Sequence, residues 1–232
     1  MQESIHQAAT MLLVRENVAH LEVYMTKRPV TMRSFPGHYV FPGGQMDEAD
    51  GDPRFAQRCM LIPPSCNPEG LSLAYWVTAL RETFEEAGLL LARDSTGAWV
   101  DASRFERERE AMLAGEMPFY DILERHDLVL ATDALRYFGH RLTPRKVSNK
   151  RFDTRYFLTV LPVGVEPNPH QGEVEFAMWV DPRHAIAEWQ AGRVQMVPPT
   201  VDSLRVLAGF TSADDAWQSI EGVGKPTPME LE

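Results

Sequence analysis

"SLAYWVTALRETFEEAG", residues 72–88, is the clearest helix signal in this 232-residue chain, with Ser72 placed as an N-cap and Gly88 as a C-terminal stop. At 3.6 residues per turn, Leu73, Val77, Leu80, Phe84 and Ala87 form one apolar stripe, which predicts the core face. Glu82, Glu85 and Glu86 are joined by i+3 and i+4 steps on the opposite face. One reading of them is a solvated acidic surface with Arg81 supplying local ion pairs. Two costs weigh against it. Like charges at i+4 repel, and a negative cluster late in a helix opposes the macrodipole. Bound Mg²⁺ or Mn²⁺ reverses both, because hard cations take carboxylate oxygens and leave positions for water and substrate phosphates.

Working outward, residues 8–25, "AATMLLVRENVAHLEVYM", read as two strands around a polar break, and "HYVF" as a short extended piece. From about 51 to 73 prolines and glycines exclude a long helix, so this segment reads as an inserted loop. Residues 102–126 read as two short surface helices broken near "GEMP". "LRYFGHRLTP" and "RYFLTVLPVGV" read as strands separated by a polar stretch, "FAMWV" as another strand, and "DPRHAIAEWQAG" and "PPTVDSLRVLAGF" as helices. The tail "KPTPMELE" reads as poorly ordered. Strands, a helix, more strands and then helices favour an α/β or α+β sandwich with a mixed sheet, in one domain over residues 1–232 with helical additions near 102–126 and 198–220.

Composition narrows the function. Thirty-three acidic against 23 basic residues give a formal charge of −10, which argues against general nucleic-acid binding. No apolar run approaches the roughly 20 residues needed to span a bilayer, and the first residues lack a basic-then-apolar leader, so a soluble, cytoplasmic protein is expected. Cys59 and Cys66 fit neither a zinc knuckle nor a Cys-x-x-C pair and read as free thiols. With no G-x-S-x-G present, serine or cysteine nucleophiles are not indicated.

"RETFEEAGL", Arg81–Leu89, resembles the second half of the Nudix hydrolase box, G-x5-E-x7-R-E-U-x-E-E-x-G-U with U aliphatic. Gly44 in "FPGGQMDEADGDP" begins the first half, with Asp50 at the early acidic position and Asp47 or Glu48 as alternatives. Arg81 then follows 31 residues after Asp50 instead of eight, a surplus of 23 that matches the proline-rich segment. Thr83 stands where the box has an aliphatic residue. This arrangement resembles the branch of the family with a long insertion inside the box, of which peroxisomal-type coenzyme A diphosphatases are members. The resemblance implies a Nudix-type α/β/α sandwich with a mixed sheet and a catalytic loop-helix-loop. It also implies that Glu85 and Glu86 hold Mg²⁺ or Mn²⁺, that the Gly43 carbonyl contributes, that Glu82 binds metal or acts as base, and that Arg81 orients a carboxylate. A further acid is expected from a later loop, where Glu173 or Glu175 stands; a solvated strand end is the alternative reading of both.

The upstream segment "TKRPVTMRSFPGHYVFPGG" resembles the pattern of coenzyme A diphosphatases, with Thr26, Arg28, Arg33, Gly37 and Phe41 to Gly44 in register. Arg28 and Arg33 suit phosphate because guanidinium offers permanently charged, bidentate donors. Arg145, Lys146, Lys150 and Arg151 form a second basic group that suits the 3'-phosphate of coenzyme A or is a solvated basic loop, with an Arg151–Asp153 pair as a structural alternative. The resemblance thus implies hydrolysis of a nucleoside diphosphate derivative of coenzyme A type. ADP-ribose-like substrates and a non-catalytic nucleotide sensor are the rival readings, and a homodimer is left open.

Overall fold

The computed structural model describes residues 5–17, 20–32, 35–67, 71–143, 151–162, 164–172 and 174–220. In chain order its elements are β1 Ile5–Asn17, β2 His20–Lys27, β3 Tyr39–Val40, β4 Gly43–Gln45, α1 Ala74–Ala87, β5 Ala92–Arg93, α2 Glu106–Leu113 and α3 Phe119–Arg125. Then follow β6 Val129–Leu130, β7 Arg136–Leu142, β8 Arg151–Val160, β9 Phe176–Val180, α4 Pro182–Gln190, α5 Pro198–Leu207 and α6 Ala213–Ile220. The tail beyond residue 220 lies outside the described residues.

β1 organises the sheet. It pairs antiparallel with β2 from Asn17↔His20 to Val14↔Val23, and parallel with β8 from Ile5↔Arg151 to Val14↔Val160. β7 completes that side antiparallel to β8, β3 and β9 pair with β2, and β4 pairs with β1 at Ala8 to Thr10. This is the expected mixed sheet. The unbroken "MLLV" run has a direct cause: Met11 and Leu13 face a core shared with α1, α2 and α3, while Leu12 and Val14 face one shared with α4, α5 and α6. A strand covered on both faces needs apolar residues at consecutive positions. Helices therefore layer both sides of the sheet, as the sandwich expectation required.

Three boundaries differ from the sequence reading. α1 begins at Ala74, with Ser72 Oγ accepting the Ala74 N–H at 3.3 Å, two residues inside the expected cap. β8 begins at Arg151, four residues before the expected strand, because ten consecutive parallel pairs with β1 draw "RFDT" into the sheet. The inserted segment carries short 3-10 turns, the first overlapping its start at Glu48–Gly51 and the others at Pro53–Gln57 and Pro64–Cys66, rather than open loop. It is tied down by buried Phe55 and by the bonds Met60 N to Leu130 O (2.9 Å) and Leu130 N to Arg58 O (2.7 Å). Cys59 and Cys66 are free, and burial pushes the Cys59 thiol up to about 12, far from a reactive thiolate at neutral pH. Among the described residues no helix is long and apolar enough to cross a membrane.

Gly43 is the tightest junction in this frame. Its φ is +153°, and a Cβ there would lie 2.4 Å from the Ala9 carbonyl oxygen and 2.7 Å from Thr10 Cα, both backbone atoms of β1 that cannot step aside. Gly43→Ala is therefore expected to destabilise the protein by about 2 kcal/mol or more, read as a lower urea midpoint with an unchanged m-value.

Candidate active site

Asp50, which is 2% exposed, settles which early acid meets the helix. Its Oδ1 accepts Arg81 Nε at 2.8 Å and its Oδ2 accepts Arg81 Nη2 at 3.0 Å, a bidentate pair. The Asp47 N–H donates to Oδ2 at 2.9 Å. The Thr78 hydroxyl lies 2.8 Å from Oδ2 and 2.8 Å from the Ala74 carbonyl, with one proton for the two. Asp47 approaches Arg81 only to 3.9 Å and is mostly exposed. Asp50 is thus the fixed partner of Arg81, and the shorter acid serves because the 3-10 turn at Glu48–Gly51 brings its backbone close. Arg81 Nη2 also donates to Gln45 O at 3.0 Å, while Nη1 donates to Glu85 Oε2 at 2.9 Å and stands 3.0 Å from Glu82 Oε1.

The acidic face is not a solvated one. Glu82 and Glu86 are 9% and 8% exposed, and apart from Glu85 all of α1 is buried. The reason is coverage on every side: the sheet beneath, α2 alongside, and the 168–170 loop at the helix end. Glu82 packs over Gly44, where a Cβ would stand 2.5 Å from its Oε1, and Glu86 Oε2 accepts the Gly43 N–H at 3.2 Å. Thr83, the departure from the aliphatic pattern, is fully buried and returns its hydroxyl to the Ala79 carbonyl at 2.7 Å, so the core receives no unpaired polar atom.

The C-terminus of α1 closes at Gly88 as expected, and beyond it through contacts that no local pattern announces. Gly88 takes the left-handed conformation at φ +66° and donates to Phe84 O at 3.1 Å. The Glu86 and Ala87 carbonyls accept the His170 and Asn168 N–H groups at 3.1 and 2.8 Å. The Glu85 carbonyl accepts Arg109 Nε and Nη2 at 3.1 and 2.8 Å, and Arg109 Nη1 reaches on to Asn168 O at 2.9 Å. Arg109 is 2% exposed, against the expectation that residues 102–126 form surface helices. It satisfies orphan carbonyls and sets a cation against the negative end of the helix.

The donor set fits a hard divalent cation in charge and chemistry. Asp50, Glu82 and Glu85 surround Arg81, Glu86 stands beside them on the same helix face, and the Arg109 cation is turned to backbone carbonyls; such buried acidity calls for a counter-ion when it ionises. Burial, reinforced against Arg81 by Glu86 and Glu85, holds the Glu82 carboxyl well above its ordinary 4.5, and burial raises Glu85 as well. Among the described residues the buried Tyr24 hydroxyl has no hydrogen-bond partner, and burial and then Glu86 hold it above its ordinary value. Among the described residues no group of three His, Cys, Asp or Glu side chains is spaced to hold a metal as it stands.

Other predicted residues separate from this cluster. Glu175 pairs with Lys27 Nζ at 2.6 Å, across the β2–β9 edge, and Glu173 lies outside the described residues. Arg28 closes β2 with Nη2 3.0 Å from Met32 Sδ, while Arg33, Arg145, Lys146 and Lys150 lie outside the described residues. Arg151 is not part of an open basic loop: it is buried at the start of β8, and its Nε donates to Thr143 O at 2.7 Å. Asp153 pairs with Arg155 and His140 instead.

A family model described as the NUDT19 Nudix domain matches residues 65–207. The chain is 25% identical to the acyl-coenzyme A diphosphatase NUDT19 of Gallus gallus, over 90% of this chain and 68% of that one. It is 26% identical to the protein of that name in Homo sapiens, over 84% of this chain and 64% of that one. The crystal structure of a NUDIX hydrolase from Alicyclobacillus acidocaldarius superposes with a TM-score of 0.85 at 33% identity, covering 94% of this chain and 97% of that one.

A carboxyl raised by folding holds its proton in the folded state. It supports stability below the ordinary value of 4.5, and that support is lost as pH rises through the folded value. In thermal melts with chelator, the melting temperature is therefore expected to decline from about pH 4.5 up to that folded value and to level off beyond it, and Glu82→Gln to decline less. Parallel curves for the two proteins contradict the assignment.

Proposed function

Because this chain belongs to the Nudix hydrolases, in the family described as the NUDT19 Nudix domain, we propose that it hydrolyses the diphosphate bond of coenzyme A or acyl-coenzyme A. The products are 4'-phosphopantetheine, or its acyl form, and 3',5'-ADP. The observation that carries the substrate is the likeness to acyl-coenzyme A diphosphatases along most of the chain.

Hydrolases of this family use divalent metal ions, and Mg²⁺ or Mn²⁺ is the assignment here. When bound, such an ion neutralises diphosphate charge and lowers the pKa of a coordinated water. Glu85 and Glu86 hold it through carboxylate oxygens, with the Gly43 backbone beside them. Glu82, seated over Gly44 and ionised once a cation offsets the surrounding acids, would accept the proton of the attacking water at a carboxylate oxygen. Arg81 keeps the three acids apart and aimed by holding Asp50 with one edge and Glu82 and Glu85 with the other. Arg109 fixes the helix end from which Glu85 and Glu86 project.

Incubation with coenzyme A, an acyl ester and ADP-ribose, each with Mg²⁺ and Mn²⁺, tests this by product analysis. Coenzyme A should yield 3',5'-ADP, and Glu85→Gln should lower kcat by about a hundredfold or more. Turnover of ADP-ribose far above every coenzyme A ester overturns the substrate assignment, and an undiminished Glu85→Gln overturns the metal assignment.

A further inference from the structure

Two larger cavities, of about 610 and 490 Å³, are lined by none of the three helix carboxylates. A third, of about 300 Å³, opens directly beside Glu85 and Arg81. Its floor is the box turn and the start of the insertion, and its roof is the α2–α3 corner. The apolar wall is Phe55, Met112, Met117, Phe119 and Tyr120. It is a built surface: Phe55 meets Tyr120 edge-on at 5.3 Å and Phe119 at 6.2 Å, and Phe119 reaches Phe84 of α1 at 6.4 Å.

Resting on the coenzyme A reading above, we propose that this cavity seats the neutral pantetheine arm of the substrate, next to the diphosphate. A coenzyme A molecule leaves its diphosphate in two directions, one toward an uncharged amide chain and one toward a phosphorylated adenosine. Charge separates them. The cavity presents Asp47, Asp50, Asp52 and Glu85 against Arg54 and Arg81. Both guanidiniums are already engaged, Arg54 by Asp52 at 2.7 Å and Arg81 by Asp50 at 2.8 Å. A 3'-phosphate would meet net negative charge there, whereas an amide chain with a gem-dimethyl group would not. The aromatic faces are also taken. Arg54 lies over the Tyr120 ring at 4.1 Å, which leaves no open platform there for adenine. The volume stands at the low end of the roughly 300–1,000 Å³ of small-molecule sites, enough for a slender arm and not for a whole nucleotide. Two methionines in the wall adapt to a flexible chain.

Ala49 and Met117 line the cavity, the first exposed and the second half-buried, so a larger side chain at either fills part of it. Ala49→Trp and Met117→Trp are each expected to raise the inhibition constant of 4'-phosphopantetheine about tenfold or more, leaving that of 3',5'-ADP within about twofold. Both constants moving together, or neither moving, overturns the proposal. Independently of any variant, phosphopantetheine carrying a diazirine should label wild-type peptides containing residues 47–55 or 112–120, and labelling confined elsewhere overturns it. Coenzyme A hydrolysis with labelling elsewhere sinks the cavity assignment alone. Intact coenzyme A with either metal sinks the reaction on which it rests.

Discussion

The buried bidentate pair between Asp50 and Arg81 is the joint on which this active site depends. It spans 31 residues of chain and binds the turn after β4 to the middle of α1. Extending the connection from seven intervening residues to 30 raises the loop-closure cost by only about 1.3 kcal/mol. Removing one partner of a buried ion pair costs about 3–5 kcal/mol, because the other charge is left without its counterpart. The folded site therefore requires both partners, and through them the two halves of the box meet across the insertion. The insertion adds anchors of its own through Phe55 and the Met60 and Leu130 backbone.

From that joint the charge distribution follows. Arg81 is shared among Asp50, Glu82 and Glu85, and Arg109 turns its cation to the helix's own carbonyls. When Asp50, Glu82 and Glu85 are all ionised, three acids share the one Arg81 guanidinium, an imbalance that a hard cation would offset. The α2–α3 addition that supplies Arg109 also roofs the cavity beside Glu85, so one appended element both caps the catalytic helix and shapes the space next to it.

Much of this was legible in the residues. The 3.6-residue stripe from Leu73 to Ala87, the Gly88 stop and the spacing of three glutamates placed the helix and grouped its carboxylates, because each is a local property. The paired strands at 8–25 and the strand "FAMWV" were legible from their β-type runs, whereas the sheet order and the two-sided covering of "MLLV" appear only in the fold. Burial of the acidic face was not legible, since it depends on α2 and the 168–170 loop arriving from elsewhere. Arg109 was hidden for the same reason: among alternating Glu and Arg it has no signature, and its partners are main-chain carbonyls 24 and 59 residues away. Nor could spacing choose among Asp47, Glu48 and Asp50, because the choice rests on a 3-10 turn that folds only one of them onto Arg81. Arg151 was read into a loop because parallel pairing with β1 is a non-local event.

The central claim is that Asp50 and Arg81 act as one unit across the insertion. A double-mutant cycle on folding stability, with Asp50→Asn, Arg81→Gln and the combined variant, measures this directly. The two losses should fall short of additivity by about 1–3 kcal/mol, whereas additivity within about 0.5 kcal/mol would contradict the account.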